Sequence, residues 1–150
     1  MKNRPINKLA TLSAFLQDFG VENDENGDII QAIYTTSESD ATSRLHGVSG
    51  FQIITARPEL HGDLTSATYD TVIFVLAPDL GASKTTDTEC ARYNEGLLLV
   101  DQIVNIIEKS CSEGACERLL AGFELKDMDI TPETSLFGGW QGWSIELSFE

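Results

Sequence analysis

The stretch Glu22-Asn23-Asp24-Glu25-Asn26-Gly27 is where this chain comes nearest to the residues of a metal site. Glu22, Asp24 and Asn26 alternate as the first ligands of a calcium loop do, and Gly27 takes the turn position. The chemistry would be coordination of a hard cation by side-chain oxygens. Yet Glu stands where the first Asp belongs, and Ile33 occupies the place of the bidentate Glu that closes the shell. The stretch is expected to be a solvated hairpin loop, with Asn26-Gly27 as a tight-turn pair.

Other groups come less close to a working site. Gly47-Val48-Ser49-Gly50 has part of a nucleophile elbow, but the second glycine is misplaced and a strand follows where a helix should. His46 and His61, the only histidines, could serve as general bases, but both fall in polar stretches without triad spacing. Pro78 to Thr85 ends in the Lys84-Thr85 pair of a phosphate loop. The Gly-x-x-x-x-Gly-Lys that lets a backbone wrap a phosphate is missing, because Ser83 precedes Lys84. Glu124, Asp127 and Asp129 could be paired carboxylates. On a strand 127 and 129 share one face and 124 takes the other, which fits a wetted surface better. Cys111 and Cys116 have a spacing that allows a local bridge, but no second Cys or His pair accompanies them for zinc. They and Cys90 read as free thiols of a reducing compartment. The sequence therefore predicts no catalytic residue, no metal and no cofactor, and the chain reads as a protein that is not an enzyme.

The composition narrows the partners. The 150 residues suit one domain over 1–150, and 41% hydrophobic content supports a real core. Acidic residues outnumber basic ones by 24 to 10, a formal charge of -14. Such a surface repels phosphate and anionic lipid, which disfavours wrapping a nucleic acid or docking on a membrane. It suits a basic partner, or a wall past which DNA slides without sticking. No apolar run of signal-peptide type follows Lys2 and Arg4, and no segment reaches a membrane span, so a cytoplasmic product is expected.

Periodicity places the elements. Pro5 suits a first helical turn, and Ile6, Leu9, Leu12, Phe15, Leu16 and Phe19 recur at helical spacing until Gly20. Strands are predicted at 28–36, 51–56 and 69–77, with 37–49 and 59–66 as polar loops. Val72 to Leu76 is apolar on both faces, as a central strand covered on both sides requires. Thr86 and Glu89 have capping-box spacing before a long helix at 89–110, carried by Tyr93, Leu97, Val100, Ile103, Val104 and Ile107. A strand at 117–130 follows, then a loop from Thr131-Pro132 to Gly142, then a terminal strand from Trp143 to Phe149 that alternates apolar and polar residues. The order predicts an α+β fold. It consists of a mainly antiparallel sheet of about five strands with two helices packed on one face. Trp143 belongs to the apolar face of the last strand, whereas Trp140 in its Gly-rich turn is expected to be partly exposed.

The second half of this layout resembles small tailed-bacteriophage neck and tail proteins of the tail-terminator or tail-completion kind. The features that carry the resemblance are the long apolar helix, the strand Glu124 to Ile130, Thr131-Pro132, and the Gly142-Trp143 opening of a last strand Ile145-Glu146-Leu147-Ser148-Phe149. The resemblance implies a virion subunit, assembled in the host cytoplasm, that forms a homo-oligomeric ring and meets other neck or tail proteins. It implies no catalytic residue. From loop position, Trp140 and the arms around Arg44 and Lys84 are the expected interface positions. The alternative is a small acidic protein-binding or regulatory domain without catalytic activity.

Overall fold

The computed structural model describes residues 5–22, 29–48, 50–63, 66–81, 85–111, 120 and 123–150. The chain forms α1 (Pro5–Gln17), β1 (Gly20–Glu22), β2 (Ile29–Gln31), β3 (Ile33–Thr35), α2 (Glu38–Leu45) and β4 (Gln52–Ala56). It continues with β5 (Glu59–Gly62), β6 (Ala67–Pro78), α3 (Thr86–Cys111), β7 (Leu125–Leu136) and β8 (Trp140–Phe149). Strands β3-β4-β6-β8-β7 lie side by side in that order, and β5 pairs with β6 beyond the end of β4. Among the described residues the fold is α+β, with a mixed, mostly antiparallel sheet of six strands and three helices.

Two helices cover one face of the sheet, as expected. Leu12 and Leu16 of α1 and Val100, Ile103 and Ile107 of α3 pack on Ile53, Ile73, Val75, Ile145 and Leu147. These side chains keep at most 3% of their surface, so each contributes about 1.5–3 kcal/mol through burial. The buried Thr55 hydroxyl donates to the Leu16 carbonyl at 3.2 Å, which satisfies a carbonyl at the end of α1.

The third helix corrects the sequence reading. Residues 37–49 were expected as loop, but Ser37 caps α2, its Oγ accepting from the Asp40 N–H at 3.1 Å. Glu38 and Asp40 then favour the first turn and Arg44 the last. Only Ala41 and Leu45 of this helix are buried, too few to announce a period. They pack with Ile54, Leu76 and Trp140 on the far face of the sheet. Thus β6 is covered on both faces in its upper half, Ile73 and Val75 on one side and Phe74 and Leu76 on the other. The helix also explains why β3 pairs with β4 in parallel, because a parallel connection needs a crossover.

Other boundaries moved as well. The expected strand 28–36 breaks at Ala32 into β2 and β3. The former pairs with β1 in a separate two-stranded sheet. Within 59–66 the structure has the short strand β5. Thr131-Pro132 does not end β7, since an edge strand tolerates a missing N–H on its outer side. The final strand, β8, is interior, bonded to β6 on one side and β7 on the other.

Candidate functional site

The end of the far face that α2 leaves uncovered is an open, acidic bowl of about 490 Å³. Strands β5 to β8 aim alternate side chains into it. Glu59 comes from β5, Asp70 from β6, Glu146 from β8, and Asp127 and Asp129 from β7. Asp127 and Asp129 do share a face, as strand periodicity predicted; the Glu124 carboxylate lies instead 3.5 Å from the Lys126 ammonium. The nitrogen groups of the bowl sit on its β4–β5 side. Arg57 lines it there, and His61 Nε2 stands 3.3 Å from a Glu59 oxygen and 3.4 Å from an Asp70 oxygen. Among the described residues no three His, Cys, Asp or Glu side chains converge to hold a metal ion.

The other motifs resolve into structural roles. Residues 23–28, which include most of the calcium-like stretch, lie outside the described residues; strands β1 and β2 on either side of them pair antiparallel. His46 is the C-cap residue of α2, exposed, on a different element from His61. Lys84 lies outside the described residues. Its neighbour Thr85 caps α3, since the Thr88 N–H donates to the Thr85 Oγ at 3.1 Å and the Thr85 N–H to the Thr88 Oγ at 2.9 Å. The reciprocal cap uses this pair and not Thr86 with Glu89. Cys90 and Cys111 are free thiols, and burial pushes the Cys111 thiol up from its ordinary pKa.

The expected interface positions fare differently. Arg44 is not on a loop arm. It sits on α2, 3.8 Å from the Asp40 carboxylate, and donates to the Tyr34 carbonyl. Trp140 is only 7% exposed and is a member of the far-face core, so it offers a neighbour almost nothing. Trp143 is the half-buried indole of the pair, its N–H donating to the Tyr93 carbonyl at 2.8 Å.

Exposed apolar surface lies elsewhere, at positions that motif reading passed over. Leu60 on β5, Leu97 and Leu98 on α3, and Ile130 on β7 are 42%, 42%, 68% and 42% exposed. Ile130 stands on the edge strand β7, and Leu60 on β5, which flanks β6 beyond the end of β4 on the opposite side of the sheet. A groove between α3 and β7, about 800 Å³ and lined by Cys90, Tyr93, Pro132 and Trp143, adjoins the β7 edge. No helix of the described residues is long and apolar enough to cross a membrane. No protein-family model matches this chain, and no curated protein matches it.

Proposed function

We propose that this chain is a non-enzymatic assembly subunit, of the tailed-phage neck or tail-terminator kind, that forms a homo-oligomeric ring. The observation that carries the reading is that, among the described residues, no strand pairs with the outer side of β7 or of β5. Strand β7 presents a twelve-residue edge and β5 an exposed one, each with a half-exposed aliphatic side chain. Unpaired main-chain groups along a strand edge are a template for another strand, and a second copy supplies one. The long helix, the β7–β8 pair and the Gly142-Trp143 opening are the parts on which the family resemblance rests. In a ring the charge of -14 would keep passing DNA from adhering to the wall.

The test is the mass in solution by light scattering, with negative-stain images of the same peak. Rings with a central hole are the expected result. A 16.4 kDa species at every concentration would remove the reading.

The acidic bowl favours a second reading, a binding domain that recruits a basic partner. Its mark is a monomer whose complex with a basic partner weakens steeply with salt, since exposed charges are screened beyond about 8 Å at physiological ionic strength.

A further inference from the structure

The outer sides of β7 and β5, unpaired among the described residues, differ, and the difference matches one to the other. We propose that β7 of one copy receives β5 of the next copy, antiparallel, so that the sheet runs on from subunit to subunit. This inference rests on the assembly reading and names the surfaces that meet.

Direction comes first. Strand β7 is antiparallel to β8, β8 to β6, and β6 to β5. Within one copy β5 therefore runs opposite to β7. A rotation about an axis along the strands keeps every direction, so β5 of the neighbour arrives antiparallel to β7, the pairing with the better hydrogen-bond geometry.

Length comes second. The regular stretch of β7 lies between its two irregularities, at Leu125/Asp127 and Glu133/Leu136. Pro132 has no N–H to give, and the Glu133 carbonyl already accepts from the Tyr93 hydroxyl at 2.8 Å. What stays open is 127–131. The Met128 N–H within it donates to the neighbouring Asp127 carboxylate at 3.0 Å. Strand β5 has four residues, all exposed, and fits that window. The same proline and irregularities block longer pairings, including the open-ended stacking to which a flat edge is prone.

Side chains come third. The rotation also keeps the faces. Ile130 points to the helix-covered face and so does Leu60, opposite Tyr69 in its register, so the two half-exposed aliphatics come together. On the other face Asp127 and Asp129 meet the far-face side chains of the next β5, His61 together with Glu59, and Arg57 beside them. A symmetric contact of β7 with β7 would instead set Asp127 and Asp129 against their own copies, and like charges opposite each other in a sheet destabilise it. The contact is thus head-to-tail, the kind that builds a ring when the rotation between copies closes.

The test uses the full chain and two variants, Ile130→Asp and Leu60→Asp, each of which spoils one edge and leaves the other intact. Melting curves check that both fold. The wild type is expected to form rings, each variant alone a monomer, and an equimolar mixture a dimer that grows no further, since only one sound edge pair remains. If Leu60→Asp alone still dimerises, β7 pairs with itself and the proposal is overturned. If both variants form wild-type rings, the edges are not the contact, while the assembly reading stands. A monomeric wild type removes that reading and this inference together.

Discussion

The Trp143 indole N–H donates to the Tyr93 carbonyl oxygen at 2.8 Å, and the two rings meet edge to face with centroids 5.9 Å apart. The Tyr93 hydroxyl in turn reaches the Glu133 carbonyl. One helical residue thereby ties α3 to both β8 and β7, and it holds the indole in one place.

That fixed indole predicts the behaviour of Gly96. A glycine inside an exposed helix costs about 1 kcal/mol relative to alanine, so helix propensity alone favours Gly96→Ala. A methyl group there would stand 3.0 Å from Trp143 Cδ1 and 3.3 Å from Phe51 Cε1. The indole cannot retreat without losing its bond, and overpacking of this kind costs about 1–3 kcal/mol. Gly96→Ala should therefore lower the denaturation midpoint in the wild type. In a Trp143→Ala background the same change should raise it, and equal effects in both backgrounds would refute the argument.

Gly142 is a sharper case. Its φ is +154°, and an added Cβ would lie 2.1 Å from the Val75 carbonyl oxygen, a main-chain atom that cannot move aside. Gly142→Ala should push β8 off β6 and cost about 3 kcal/mol or more, a large share of the roughly 5–15 kcal/mol that holds a domain folded. Urea unfolding with circular dichroism would show it. The Gly142-Trp143 pair, two residues inside β8, thus has a physical reason: the glycine lets β6 approach, and the tryptophan anchors α3.

Why some of this fold was legible and some was not follows from particular residues. The 3.6-residue period of α3 and the alternation of β8 each extend over enough apolar positions to specify type and face. Helix α2 buries only Ala41 and Leu45, so its one sequence signal was Ser37 as a cap, a residue equally at home in a loop. Thr131-Pro132 suggested an end because proline breaks inner strands, and only the strand order shows β7 to be an edge. The outer sides of β5 and β7 were invisible for the same reason. Leu60 and Ile130 look like any other aliphatic residues until the sheet order places those strands.

Trp140 separates a core role from a contact role. It fills the space between α2 and the far face beside Leu45, Ile54 and Leu76. Trp140→Ala should cost about 3–5 kcal/mol in a monomer, by the usual toll of a large-to-small change in a core. Arg44→Ala, at a half-exposed ion pair, should cost under about 1 kcal/mol. Chemical denaturation of both variants at a concentration too low for assembly checks this. A Trp140→Ala variant as stable as the wild type would return that indole to the surface.

Lys126 gives the pH prediction. Its ammonium lies 3.1 Å from Glu150 and 3.5 Å from Glu124, at the irregularity where β7 begins beside the end of β8. The hydrogen bond to Glu150, and then the charge of Glu124, hold its pKa above the ordinary lysine value. A base whose pKa is raised by folding adds stability while it is protonated in both states. That addition is present in full below the unfolded value, about 10.4, and is lost as pH rises through the higher folded value. The site is solvent-exposed, so the effect is small and weakens with salt. Lys126→Met should be less stable than the wild type at pH 7 and 9, and the gap should narrow as pH rises past the ordinary lysine value. Comparing the two proteins at each pH cancels the titration of Tyr69 and Cys111, whose pKa values burial also raises. A gap that persists unchanged at alkaline pH would mean that Lys126 acts through its methylenes and not through its charge.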